Sequence, residues 1–148
     1  MTLTELIAVS IVGIALVIIF FNFYNPEYKT VKVKVGYYTV TADIADSIPK
    51  KTKGLMGRKS LPEDKGMLFT FRDNDKPSFW MMNMSIPIDM IWISSDGKVT
   101  YIAKDAQPCL VNCKLYSPDK ESKYVLEVAS NFTDRHNVKM GTKVEINL

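Results

Sequence analysis

Between Gly54 and Val99 the chain reads GLMGRKSLPEDKGMLFTFRDNDKPSFWMMNMSIPIDMIWISSDGKV. Gly54, Gly57, Pro62, Gly66, Pro77, Pro87 and Gly97 interrupt it at short intervals. Between them stand brief apolar bursts: Leu55-Met56, Met67-Leu68-Phe69, Phe79-Trp80-Met81 and Met90-Ile91-Trp92-Ile93. Proline lacks an amide donor and clashes with the preceding helical turn, so no helix of ordinary length fits among so many breakers. Short strands joined by shaped loops fit instead.

The flanking segments extend the β reading. Val31 to Val35 alternates valine with lysine, the period of a half-buried strand, and Tyr37 to Ala42 continues it or starts a second strand. Ser47 is placed to cap a short helix with Pro49 in its first turn. Ile48, Leu55 and Met56 then face the core, and Gly57 stops the helix. Met67 to Phe71 and Phe79 to Met82 read as strands. Met90 to Ser94 and Lys98 to Ala103 form a hairpin about Asp96-Gly97, which supplies the positive φ a tight turn needs. Tyr124 to Ala129 is a further strand, Ser130 to Arg135 one helical turn, and Lys143 to Leu148 closes the sheet. The expected fold is mostly β (α+β). It is a compact barrel or sandwich-like domain over residues 31–148, with about seven short strands and one or two short helices.

The start of the chain is of another kind. Leu6 to Tyr24 carries no charge, and Glu5 is the one charged side chain before residue 25. Nineteen helical residues span roughly 28 Å, close to the hydrocarbon thickness of a bilayer. Phe23 and Tyr24 suit the interface, and Pro26 ends the helix. A domain this small could hardly surround an element apolar on every side. Residues 1–24 are therefore expected to be a single transmembrane anchor, with the lipid bilayer as partner of residues 6–24 and a linker over 25–30. No positive n-region and no small-residue cleavage site mark it as a cleaved signal peptide.

The segment "GLMGRxSLPEDxGMLFxF", then "FWMxNMxIPIDMIWI", then "DGKV", resembles the domain of unknown function 192, also called uncharacterised protein family 0127. The resemblance covers about two thirds of the chain. It implies a small, mostly β domain, often exported or membrane-tethered, and no established reaction. Within its pattern lie Trp80, Asn83 and Asp89. Met82 and Met84 stand where family members commonly have lysine and threonine, so the resemblance makes neither a ligand. The N-terminal Met1-Thr2-Leu3-Thr4-Glu5-Leu6 also resembles the mature start of type IV pilins. There a glutamate at the fifth position pairs with a neighbouring subunit's terminal amine, so the alternative is a self-assembling filament subunit with Glu5 as its assembly residue. No basic leader with a glycine precedes Met1.

Chemistry-bearing residues are few. Cys109 and Cys113 sit in Pro-Cys-Leu-Val-Asn-Cys, where three intervening residues allow a small disulfide ring. The alternatives are two free thiols or a redox or metal role. Two cysteines are too few for a structural zinc site, the spacing is not Cys-x-x-Cys, and the only histidine, His136, is distant. A structural disulfide is the expectation, and the resemblance to exported family members agrees with it. Met81, Met82 and Met84 could offer thioethers to Cu(I). Alternation puts Met82 and Met84 on one face and Met81 on the other, which favours packing. No metal and no cofactor is expected.

A net charge of +3, scattered among acids, is a solvated surface and no nucleic-acid footprint. One histidine leaves little scope for a nucleophilic triad, and no phosphate loop or zinc motif appears. No catalytic residue is assigned. The remaining enzymatic alternative is an envelope hydrolase, which requires two of Asp89, Asp96, Asp105 and Glu127 to converge. Arg58, Trp80, Asn83 and Asp89 are the candidate ligand-binding residues. The site is expected where the Gly54–Arg58 turn meets the Trp80–Asp89 segment, with Trp80 stacking on a polar or sugar-like ligand and Asp89 buried beside Arg58. The expected function is binding at the cell envelope without catalysis. Lys29, Lys32 and Lys34 after the helix favour a cytoplasmic domain. The cysteines, the Asn131-Phe132-Thr133 sequon and the resemblance favour an outside one, which is the expectation.

Overall fold

The computed structural model describes residues 2–24 and 26–148, with the side chains of 3 and 21–24 left aside. Met1, Asn25 and the side chains of Phe23 and Tyr24 lie outside the described residues, and with them the interfacial belt and terminal amine expected above.

Helix α1, Leu3–Tyr24, starts in a capping box. Glu5 accepts the Thr2 amide at 2.7 Å, and the Glu5 amide donates to the Thr2 hydroxyl at 3.3 Å. The Glu5 carboxylate thus satisfies its own helix end. The described apolar side chains of α1, from Leu6 to Phe20, are exposed. Among the described residues no helix is long and apolar enough to cross a membrane, so the expected span over 6–24 gains no support there.

The rest is one seven-stranded sheet, which half-closes into a barrel. β1 (Thr30–Val35) buries Val31, Val33 and Val35 and exposes both lysines between them, as its alternation requires. Gly36, at φ 59°, turns the chain into antiparallel β2 (Tyr38–Ala45). A crossover through α2 (Ile48–Lys53) then leads to β3 (Lys65–Asp75), which lies parallel to β2. β4 (Ile88–Ile93) and β5 (Val99–Ala106) form the expected hairpin. Gly97 has φ 75°, and a Cβ there would lie 2.6 Å from the Val144 carbonyl oxygen, so this turn needs glycine twice over. β6 (Ser122–Ala129) inserts between β3 and β4, and β7 (Val144–Ile146) adds to β1. The order is β5-β4-β6-β3-β2-β1-β7. The two outer strands meet at one end, where the Val99 amide donates to Thr142 and the Val144 amide to Gly97. The sandwich alternative does not hold, because a single sheet carries all seven strands.

Three local expectations change. The α2 helix stops at Gly54 (φ 49°) and not at Gly57, whose φ of 81° serves the following turn. Ile48 is 77% exposed at the start of the helix, while Leu55 beyond its end is buried. Phe79 to Met82 is no strand. It makes only isolated bridges, Phe79 with Tyr116 and Met82 with Cys109.

Each face of the curled sheet carries its own apolar cluster. One joins both edges through Val33, Val40, Leu68, Ile91, Leu126 and Val144, with Phe132 of α3 (Phe132–Arg135) inserted among them. The other contains Met67, Phe69, Met90, Trp92 and Val125, covered by Leu55, Met81 and Phe79 from the connecting segments. Burying a side chain of this size contributes roughly 1.5–3 kcal/mol, so the second cluster holds those connecting segments down. A cleft opens among them.

Candidate binding cleft

Glu127 is the anomaly of the second cluster. Strand register aligns Asp43, Met67, Glu127 and Met90 across β2, β3, β6 and β4. A carboxyl group therefore stands between two methionines on an apolar face. Glu127 is 5% exposed, and its Oε2 is buried without a hydrogen-bond partner among the described residues. Burial raises its pKa to about 8, against a smaller opposite pull from the Arg58 guanidinium. At neutral pH it is mainly an uncharged acid, able to donate one hydrogen bond and accept others.

This residue lines a cleft of about 380 Å³. Its walls are Gly54, Leu55 and Met56 after α2, Phe69 and Phe71 of β3, and Phe79, Trp80, Met82 and Met84 of the long connection. Trp80 is 51% exposed at the wall. The Lys51 ammonium lies 4.3 Å over the Phe71 ring, and partial burial lowers its pKa. Lys53 and Asp75 complete the charged lining.

The wall formed by residues 77–84 has several anchors. The buried Trp92 indole donates to the Pro77 carbonyl at 2.8 Å. Phe79 packs edge-on against both Phe69 and Trp92, with centroids 4.8 and 5.7 Å apart. Phe79 exchanges backbone hydrogen bonds with Tyr116. The Met81 carbonyl accepts the Cys109 amide, and the Cys109 carbonyl accepts the Asn83 amide. Cys109 and Cys113 are disulfide-bonded, with Cα atoms 5.6 Å apart. The ring thus stiffens the loop that holds the cleft wall. A loop this short gives a modest entropic effect, so reduction is expected to lower stability by about 2 kcal/mol or less. Paired thermal melts with and without reductant check this. An unchanged melting temperature would remove the disulfide from the stability of the wall.

The four candidate ligand-binding residues do not form one site. Trp80 lines the cleft. Arg58 lines an adjoining cavity and pairs with Asp43, not with Asp89, because β2 and not β4 lies beside the Gly54–Arg58 turn. Asn83 is exposed, with φ 59° in a left-handed turn. Asp89 is completely buried toward the other cluster, where the amides of Asp105, Asn131 and Thr133 and the Thr133 hydroxyl all donate to it. Thr133, the last residue of the sequon, is buried in that contact.

The acids do not converge either. Asp89 and Glu127 belong to adjacent strands but lie one register step apart, on opposite sheet faces. Asp96 is tied to Ser94 and Lys98 in the hairpin turn, and Asp105 accepts the Ser130 hydroxyl. The one histidine, His136, bonds Glu63 beside Arg135 and stacks on Tyr38. Met82 and Met84 line the cleft while Met81 is buried, the expected division, though a turn at Asn83 and not a strand's alternation produces it. Among the described residues no group of three or more His, Cys, Asp or Glu could hold a metal ion. Glu127 as the cleft's acid was not separable in the sequence from the other carboxylates. Its only local signal is a charge between Leu126 and Val128 in an apolar strand.

A family model described as "Uncharacterized ACR", that of the domain of unknown function 192, matches residues 30–146. No curated protein matches the chain. Among solved structures, a protein of Sinorhizobium meliloti described as a candidate transcription regulator superposes with a TM-score of 0.77 at 28% identity. That match covers 82% of this chain and 97% of the other. A protein of unknown function from Novosphingobium aromaticivorans gives 0.72 at 30% identity, over 80% of this chain and 84% of its own.

Proposed function

The chain belongs to the family of the domain of unknown function 192, and from that premise we propose a binding domain tethered to a bilayer by α1, with the Glu127 cleft as its ligand site. The observation that carries the proposal is the buried Glu127 Oε2 without a partner in a cleft walled by aromatic rings. Leaving such a polar atom unpaired costs about 1–3 kcal/mol, which a ligand group able to hydrogen-bond to it recovers. Trp80 offers a flat stacking face to a polar, sugar-like ligand. A mainly neutral acid among aromatic walls suits recognition.

The support for the tether is the uncharged run from Leu6 to Tyr24 in the sequence and the exposure of its described apolar side chains, from Leu6 to Phe20. The disulfide favours the oxidising side of the membrane, against the pull of Lys29, Lys32 and Lys34. Protease added to intact cells is expected to digest the β domain. Protection of the domain would reverse the orientation.

For the cleft, N-acetylglucosamine is a suitable first probe, since it presents hydroxyls and an amide to Glu127 and a ring face to Trp80. Saturable binding by isothermal titration calorimetry is expected, weakened about tenfold or more in Trp80→Ala and lost in Glu127→Leu. Equal titration curves for parent and both variants would refute the cleft as the site.

A further inference from the structure

A second cavity, of about 350 Å³, adjoins the cleft and shares Lys53, Gly54 and Met56 with it. Its other walls are Pro26, Tyr28, Gly57 and Arg58. We propose that Tyr28, Lys53 and Arg58 form a binding site for a phosphate-type anion at the point where the chain leaves α1.

The argument starts from donors. The Tyr28 hydroxyl is buried without a hydrogen-bond partner among the described residues. Burial raises its pKa, so the group stays a phenol and keeps its proton to donate. Arg58 gives Nη2 to Asp43, the one hydrogen bond of its guanidinium among the described contacts. A planar guanidinium carries five N–H groups in a fork that matches phosphate oxygens, so most remain available. Lys53 has no ion pair among the described residues, unlike Lys50, which Asp46 holds. The charges do not cancel. Asp43 offsets one of the two cations lining the cavity, and Glu127, which burial keeps mainly protonated at neutral pH, does little to offset the other. The cavity is left with excess positive charge and an unused hydroxyl donor, which is what a tetrahedral oxyanion requires.

Position suggests two sources for that anion. Pro26 and Tyr28 follow directly after α1. With α1 in a bilayer, the cavity would lie at headgroup level, within reach of an anionic phospholipid. The other source is a free phosphate group, alone or on a ligand extending into the cleft past Lys53. The lipid source rests on the anchoring reading, and the anion chemistry does not.

The test uses the full chain in nanodiscs, reading the Arg58 side-chain N–H resonance, assigned with Arg58→Lys. In phosphatidylcholine discs, added inorganic phosphate is expected to move that resonance saturably, where chloride at equal ionic strength does not. Affinity should fall about tenfold in Lys53→Gln and about threefold to tenfold in Tyr28→Phe, with melting temperatures maintained. If lipid is the source, phosphatidylglycerol discs produce the shift without phosphate and abolish the phosphate response. A resonance that moves equally with chloride, or titrates alike in parent and both variants, overturns the site. Should α1 fail to enter the discs, the anchoring reading fails by itself. The phosphate titration of the lipid-free chain then decides the anion site alone.

Discussion

Asp89→Asn is expected to destabilise the domain by about 3 kcal/mol and to lower its melting temperature by roughly 10–15 °C. The carboxylate is completely buried and accepts four hydrogen bonds. Oδ1 takes the amides of Asp105 at 2.8 Å and Asn131 at 3.1 Å, and Oδ2 takes the amide and hydroxyl of Thr133 at 2.9 and 2.6 Å. Every partner is a donor. An asparagine can serve one side but turns its own NH2 toward donors on the other, leaving buried groups unpaired. Two of the residues held, Asp105 (φ 45°) and Asn131 (φ 63°), are non-glycine residues in the left-handed region. The carboxylate therefore stabilises conformations that cost energy by themselves. Thr133→Val removes only the hydroxyl and should cost about 1 kcal/mol. Circular-dichroism melts of the two variants give the comparison. A variant Asp89→Asn melting within roughly 2 °C of the parent would show that these loops hold without the carboxylate.

The same contact shows why the surroundings of Asp89 are not legible in the sequence. Its partners come from residues 105, 131 and 133, and no local spacing links them to position 89. Charge alone pairs Asp89 with Arg58, but Asp43 reaches Arg58 from the adjacent strand β2. By contrast, features set by neighbouring residues were legible. The valine and lysine alternation of β1 and the Asp96-Gly97 hairpin both follow from backbone geometry. The approach of the Gly54–Arg58 turn to Trp80 was also anticipated, and Gly54, Leu55, Met56 and Trp80 share one cleft. Phe79 to Met82 misled because an apolar run bounded by turn residues reads as a strand, while the fold uses those side chains as a lid on the second cluster. Glu127 stands among four candidate acids in the sequence, and nothing there singles it out as the acid of the cleft. Alternation places it with Val125 and Ala129, but nothing local says that this face of β6 is covered.

That covering predicts an unusual pH response. Folded stability should fall as pH rises from 5 to 8 by about 2–4 kcal/mol, and Glu127→Gln should flatten the decline. The unfolded chain releases the Glu127 proton near the ordinary value of 4.5, whereas burial keeps it on the folded protein up to about 8. Between those values the folded state binds more protons than the unfolded one, so raising the pH favours unfolding. The contribution is fully present below about 4.5, declines across the window and is exhausted above about 8. Each pH unit inside the window is worth up to about 1.4 kcal/mol, and water entering the cleft reduces the total. Glutamine keeps the shape and the hydrogen-bonding capacity but cannot ionise. The two proteins should thus have similar stability near pH 5, with the variant more stable at pH 8. Denaturant titrations of both across this range subtract every other titrating group, because each is common to the pair. Parallel profiles would mean that Glu127 ionises in the folded state as readily as in water. The cleft would then present a fixed negative charge at neutral pH, and a neutral hydrogen-bonding ligand would give way to a cation as the group it selects.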